Sequence, residues 1–347
     1  MRRKSEPQPK GPAAQAQPTG THDMRAVVQD RYGAADVLQV THIPRPEVTE
    51  REVLVRVHAA GLDRGTWHLM TGKPYLMRIA GLGFRRPKDR VPGRDLAGTV
   101  ALIGAGVTEF EVGDEVYGVG RGSFAEYAVA RADKLVRKPM SLSFEQAAVV
   151  PISSATALQA LTDHGRLEPG QRVLIIGASG GVGSYAVQLA KALGAKEVTG
   201  VASTPKLDLV RSLGADHVID YTREDFAETG DHYDLILDIG GNPTLSRLRK
   251  ALTPTGTAVI VGGEDGGDLT GGMNRTLRAL VLARFTRQRF ANFVNKERAS
   301  DLERITEFIE AGQVIPSIDR TYPLEQVPEA MRLLAAGQIR GKVGVTI

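Results

Sequence analysis

Arg172-Val-Leu-Ile-Ile-Gly177-Ala-Ser-Gly180-Gly-Val-Gly183 is the stretch on which the reading of the fold turns. Arg172 to Ile176 is a nearly continuous apolar run, as expected of a strand buried on both faces of a parallel sheet. Beyond it, Val182, Ala186, Leu189, Ala190 and Leu193 fall on one face of a helix. The glycines between them let the chain turn tightly, and they remove the Cβ that would hold a pyrophosphate away from the backbone. A helix starting there offers free N–H groups and the positive end of its dipole. Ala178 stands at the first glycine of the G-x-G-x-x-G fingerprint, followed by Gly180 and Gly183. The motif alone is weak. Its strand–turn–helix setting points to dinucleotide binding, with a glycine-rich packing turn as the alternative.

Outward from this loop, strands and helices alternate. Strands are predicted at Val198 to Ala202, Val218 to Tyr221, Tyr233 to Ile239 and Thr257 to Val261, and a sixth at Phe290 to Val294. Helices are predicted around Leu207 to Leu213 and from Thr244 to Leu252. This order implies an α/β fold, a doubly wound parallel sheet with right-handed crossovers. Leu302, Ile305, Phe308 and Ile309 mark a further amphipathic helix, and Val343 to Ile347 reads as a strand returning to the first half. Gln146 to Leu161 reads as a helix interrupted at Pro151. Upstream, Val53, Val55 and Val57 alternate with polar residues and glycines punctuate the chain, the pattern of a small β-rich domain.

The choice of dinucleotide follows from what comes after the loop. An NAD site carries a carboxylate about 20 residues on, for the ribose 2′-hydroxyl. Here that place is Ser203, in Val201-Ala-Ser-Thr-Pro-Lys206, and no carboxylate appears before Asp208. A 2′-phosphate is repelled by an acid and matched by Ser203, Thr204 and Lys206, which favours NADPH. A solvated lysine at a helix start is the alternative for Lys206.

Composition bounds the rest. The chain has 347 residues, enough for two domains, with 42% hydrophobic and 24% charged residues. It has no cysteine, which excludes disulfides and thiolate zinc sites and fits a reducing, cytoplasmic setting. No apolar run approaches the ~20 residues of a membrane span. Residues 1–23 are polar and Pro-rich and read as a disordered tail. This tail holds part of the net charge of +4, so the body is nearly balanced and no nucleic-acid partner is expected. Basic clusters at Arg85 to Lys88 and Arg284 to Arg289 read as solvated faces. The seven histidines show no ligand spacing.

Several segments together resemble the medium-chain dehydrogenase/reductase superfamily, most closely its zinc-independent quinone oxidoreductase branch. They are Ala59-Ala-Gly-Leu-Asp63, Val91-Pro-Gly-Arg-Asp-Leu-Ala-Gly98, Gly113-Asp-Glu-Val-Tyr-Gly118, Gly122-Ser-Phe-Ala-Glu-Tyr127, Thr156-Ala-Leu-Gln-Ala-Leu161, the glycine loop and Leu213-Gly-Ala-Asp216. The resemblance runs from Met24 to Ile347. It implies a GroES-like β-rich catalytic domain over 24–150, a Rossmann NADPH-binding domain over 151–295, and a return segment, 296–347, that completes the catalytic domain. The active site is then the cleft between them.

Carried over residue by residue, the phosphate loop is Ser179, Gly180, Gly181, Val182 and Gly183, and the adenosine-phosphate contacts are Ser203, Lys206 and Tyr221. Thr156 approaches the nicotinamide end, the backbone at Gly240 and Gly262 lines its pocket, and Lys342 matches a basic residue near the cofactor. Relatives also imply a homodimer through Phe290 to Val294.

Two departures stand out. Zinc-dependent members carry cysteine where Asp63 stands and Gly-His-Glu where Gly93-Arg94-Asp95 stands. Asp63, His68 and Asp95 form a conceivable ligand set, but Arg94 and the missing thiolates argue against it, so no metal is expected. Quinone reductases usually have asparagine at the position of Asp63. Without a metal, hydride transfer from NADPH suits a quinone or α,β-unsaturated carbonyl, whose product anion is delocalised. Asp63 and Tyr75 are the candidate catalytic groups; a packing or surface role is the alternative for Tyr75. Trp67 either walls the pocket or belongs to the core. Lys73 to Arg90 reads as a lid or as a small helix packed on the barrel. The other functional readings are a zinc-free alcohol or ketone reductase and a low-turnover NADPH-binding redox sensor.

Overall fold

In the computed structural model, residues 23–262, 267–268, 275 and 286–347 are described. The predicted tail falls almost wholly outside them, as do Arg284 and Phe285 of the second basic cluster.

Period-two alternation in the first half yields strands. β1 (Asp23–Val28) and β2 (Gln39–Pro44) pair antiparallel. β3 (Glu52–Leu62) is followed by α1 (Arg64–Thr71), and then come β4 (Asp95–Ile103), β5 (Glu115–Val119), β6 (Tyr127–Arg131) and β7 (Leu135–Arg137). α2 (Phe144–Ala148) opens on a capping box in which Ser143 and Gln146 satisfy each other's backbone N–H. α3 (Pro151–Gln159) starts at Pro151. The single interrupted helix expected from Gln146 to Leu161 is therefore two helices. Proline lacks the N–H that a first helical turn leaves unpaired, so Pro151 begins a helix instead of breaking one.

β8 (Arg172–Ile176) leads through the glycine loop into α4 (Gly181–Ala192). β9 (Glu197–Ala202), α5 (Leu207–Ser212), β10 (His217–Asp220), β11 (Tyr233–Asp238), α6 (Leu245–Ala251), β12 (Leu252–Ile260) and β13 (Arg289–Asn292) follow. Among the described residues the six strands form one parallel sheet in the order β10-β9-β8-β11-β12-β13. Chain order reverses between β8 and β11, the point at which doubly wound sheets open a crevice beyond their carboxyl ends.

The chain then forms α7 (Ala299–Glu310), β14 (Ile318–Pro323), α8 (Val327–Ala335) and β15 (Lys342–Thr346). β15 pairs antiparallel with β3, Val343 opposite Leu62, and so joins the mostly antiparallel sheet β14-β15-β3-β4-β5-β7. One apolar cluster runs from that sheet (Ala59, Ala97, Tyr117) through α3 and α4 to Val173, Ile175 and Leu237 of the parallel sheet. Each large side chain buried there contributes roughly 1.5–3 kcal/mol. This continuous packing holds β15 and β4 beside the glycine loop.

Candidate functional site

The loop after β8 shows why glycine is required at two of its positions. Gly177 adopts φ +85°, and a Cβ there would stand 2.7 Å from Gly240 N. A Cβ on Gly183 would stand 2.1 Å from Gly177 O, so α4 lies against the strand end with no room for a side chain. A Cβ on Gly180 would meet only Gly177 O, at 3.4 Å, which leaves space on the outer side of the loop. The first N–H groups of α4 face that space without intrahelical partners. The cradle therefore fits a dinucleotide pyrophosphate. Gly240 borders the same loop, and Gly262 is packed so that a Cβ would stand 2.3 Å from Ile239 O.

Lys342 reaches this place from β15. It is 1% exposed, and its Nζ donates to Ser153 Oγ at 2.9 Å and lies 3.6 Å from Asp95 Oδ2. Its stem and Ser153 Oγ flank Gly181, within 3.1 and 3.3 Å of the position of a Cβ there. The N–H of Gly341 donates to Ser179 O at 2.8 Å, binding the return strand to the loop. Asp95 is fully buried, and its Oδ1 accepts from Ile152 N–H at 3.0 Å in the first turn of α3. Burial pushes the Asp95 carboxyl up to about 7, against the pull of the Lys342 ammonium. One turn further along α3, Thr156 Oγ1 donates to Ile152 O at 2.6 Å and accepts from Asn295 Nδ2 at 3.0 Å.

Asp63 caps α1: its Oδ1 accepts from Thr66 N–H at 2.7 Å, while the buried Oδ2 has no hydrogen-bond partner among the described residues. Asp63 is also close enough to Asp95 to raise its pKa. Tyr75 is placed differently. It is exposed, its N–H donates to Asp268 O at 2.8 Å, and the Arg78 guanidinium covers its ring. Among the described contacts none joins Tyr75 to Asp63 or to the glycine loop. Arg94 pairs with Glu297 at 2.6 Å, and Trp67 packs against a separate apolar cluster that includes Leu62, Met70, Phe124 and Val343.

At the carboxyl ends of β9 and β10, Ser203 opens the turn Thr204–Lys206 and the exposed Tyr221 donates its N–H to Ala202 O. Lys206 Nζ donates to Gly337 O and Ile339 O, both at 2.7 Å, in the turn leading to Lys342. Asp208 is ion-paired with Arg211 at 2.8 Å. The carboxylate of Asp220 accepts from Thr204 and Thr222, and the Thr204 hydroxyl holds it below the usual carboxylate range.

Sequence reasoning did not single out Ser153, Asp238 or Arg275, and it weighed Asp95 only as a metal ligand. Asp238, fully buried at the end of β11, lies 2.6 Å from Arg275 Nη2. That guanidinium also donates to Pro243 O and Gly262 O at 3.0 and 3.3 Å, so it ties together the loops after β11 and β12. Burial drives the Asp238 carboxyl up to about 7.

The donor set does not suit zinc. Among the described residues, no three histidine or acidic side chains gather to hold a metal. Asp63 is spent on a helix cap, Asp95 on a backbone N–H and an ammonium, and His68 Nδ1 lies 2.7 Å from Lys73 O. No helix of the described residues is long and apolar enough to cross a membrane.

Residues 49–140 match the alcohol dehydrogenase GroES-like domain family, and residues 213–345 match the zinc-binding dehydrogenase family. The chain is 34% identical over 340 residues to an NADPH-dependent alkenal/one oxidoreductase, chloroplastic, of Arabidopsis thaliana, covering 93% of this chain and 79% of the relative. It is 32% identical over 338 residues to a 2-methylene-furan-3-one reductase of Solanum lycopersicum, covering 92% and 78%. The quinone oxidoreductase from Coxiella burnetii superposes with a TM-score of 0.83 at 28% identity, covering 94% of this chain and 100% of that one.

Proposed function

Because this chain belongs to the medium-chain dehydrogenase/reductase superfamily, in its quinone oxidoreductase-like branch, and is an oxidoreductase, we propose that it reduces a quinone or an α,β-unsaturated carbonyl acceptor with NADPH and without zinc. The observation that carries this reading is the junction at the end of β8. There the open side of the glycine loop, the α4 N-terminus and the buried Lys342 converge.

NADPH supplies the hydride when bound. The residues of the chain hold and orient it. Gly181, Val182 and Gly183 present backbone N–H groups to the pyrophosphate, while the Gly180 N–H closes the loop on Gly177 O. Lys342 adds a cation whose direction Ser153 and Asp95 set. Ser203, Lys206 and Tyr221 surround the 2′-phosphate, and for this Lys206 shares or exchanges the carbonyls of Gly337 and Ile339. Thr156, Gly240 and Gly262 bound the nicotinamide side. Asp63, whose buried Oδ2 has no hydrogen-bond partner among the described residues, is the candidate group for the substrate oxygen or its proton. The names of the relatives support enones and NADPH as well. Among the described residues β13 is the last strand of its sheet and Val294 is exposed, so Phe290 to Val294 is the edge for a homodimer. A cysteine-free chain suits a reducing compartment such as the cytoplasm.

The test is oxidation of NADPH, followed by absorbance, against quinones, enones and simple ketones, with NADH and a chelator as controls. Chelator-resistant turnover of conjugated acceptors is expected. Loss of activity with chelator overturns the zinc-free mechanism. Turnover of simple ketones alone favours the ketone reductase, and tight NADPH binding without turnover favours the sensor.

A further inference from the structure

Between α1 and β4 the chain carries Leu76, Met77, Ile79, Leu82 and Phe84, followed by Arg85, Arg86, Lys88 and Arg90. A run of that composition ordinarily buries its apolar members. Here Ile79 is 71% exposed and Phe84 70%, and Leu76 and Met77 are exposed beside them. Fraying does not account for this, because the backbone is pinned from several sides. Lys88 N–H donates to Leu82 O at 2.9 Å, closing a loop with Phe84, Arg85 and Arg86 at its tip. The Tyr32 hydroxyl sits 2.8 Å from Leu82 O and 2.7 Å from Gly83 O. Arg78 Nε donates to Gly72 O at 2.8 Å, and its guanidinium stacks on Tyr32. Gly83 turns the chain at φ +106°, where a Cβ would stand 2.2 Å from Arg86 O.

Of the cations around the tip, only Arg90 has an ion-pair partner among the described residues. Arg90 pairs with Asp30 at 2.7 Å. Arg85, Arg86 and Lys88 are exposed and form no ion pair among the described residues. A pinned loop that offers two large apolar side chains to water inside a rim of unpaired cations matches an anionic lipid surface. The apolar groups enter the headgroup–acyl boundary while the cationic heads remain among the phosphates.

We propose that the loop of residues 73–90 docks this protein on the surface of an anionic lipid bilayer, with Ile79 and Phe84 inserted and Arg85, Arg86 and Lys88 on the lipid phosphates. The charge pattern argues against the other occupants. A two-fold contact with a second copy would set these cations against themselves. The N-terminal residues 1–22 carry Arg2, Arg3, Lys4 and Lys10 against a single Glu6, the wrong sign for this surface. A nucleic acid would use the cations and leave Ile79 and Phe84 in water. The proposal is independent of the reaction assigned above.

The experiment is sedimentation of the full chain with vesicles of phosphatidylcholine, with and without phosphatidylserine. The wild type should bind only when phosphatidylserine is present, and less as salt is added. Binding should fall at least about tenfold in the double variant Ile79→Ser, Phe84→Ser. Each of Arg85→Gln, Arg86→Gln and Lys88→Gln should weaken it about fivefold. These positions are exposed, so the thermal midpoint should not move. As a second readout, Phe84→Trp should shift its emission to the blue on addition of phosphatidylserine vesicles. Absence of phosphatidylserine-dependent binding, or binding indifferent to all these substitutions, overturns the proposal. So does a dimer that Ile79→Ser, Phe84→Ser separates, which would assign the loop to a second copy. DNA capture with no vesicle binding would overturn it in favour of a nucleic acid.

Discussion

Asp95 and Asp238 are both fully buried, each at the end of a strand and each beside one cation, yet they are held in different ways. Asp95 keeps a backbone donor, Ile152 N–H, and its cation stands 3.6 Å away with its hydrogen bond given to Ser153. Asp238 depends on Arg275, whose Nη2 is 2.6 Å from its Oδ2. The same guanidinium holds Pro243 O and Gly262 O. Burial drives both carboxyls to about 7 and the cations only partly offset it. The difference shows two ways of holding a buried carboxylate. One takes a backbone N–H and stands beside a cation hydrogen-bonded to a serine, and the other uses its cation to fasten two loops.

The largest expected effect comes from removing the cations. Arg275→Gln leaves Asp238 without a cation among the described residues and should cost roughly 3–5 kcal/mol in urea unfolding at alkaline pH. Lys342→Gln leaves Asp95 its backbone bond and should cost about 2 kcal/mol. Equal losses would break the comparison. Proton linkage sharpens it next. A carboxyl raised to about 7 in the fold, against roughly 3.9 unfolded, contributes stability that is complete below about pH 4 and lost as pH rises through 7. The stability of wild type minus that of Asp95→Asn or Asp238→Asn should therefore fall between about pH 4 and 7. A flat difference would show that the cation cancels burial.

Cofactor fragments separate the two arrangements. Lys342→Gln should weaken NADPH and 2′-phospho-ADP-ribose alike, about tenfold. Arg275→Lys should weaken NADPH about threefold and leave the fragment, which lacks nicotinamide, unchanged. Loss of both ligands in Arg275→Lys would give that residue a general structural role. The smallest effect on stability belongs to Asp63→Asn. Asparagine caps a helix as well as aspartate does, so the thermal midpoint should correspond to a change within about 0.5 kcal/mol. A fall in kcat would then place Oδ2 in the reaction, and an unchanged kcat would remove it.

Local periodicity made much of this fold legible. The apolar run of β8, the amphipathic face of α4 and the glycines between them carry their meaning within a dozen positions. The return of β15 was readable as a strand, though its pairing with β3 depends on distant residues. Pro151 marks the interruption in the sequence, but a proline that ends one helix and a proline that begins another look alike there, and only the structure shows a second helix starting at it.

What the sequence determined by itself is the element type and the tight turn of the glycine loop, since both follow from side-chain spacing and from the missing Cβ of glycine. What the tertiary structure alone decided is which charges meet and which apolar residues stay in water. Lys342 and Ser153 touch across 189 positions, Asp238 meets the distant Arg275, and Ile79 and Phe84 remain exposed in a run that reads as a lid or a packed helix. Burial and ion pairing depend on what arrives from elsewhere in the chain, and spacing along a strand or helix carries no record of it.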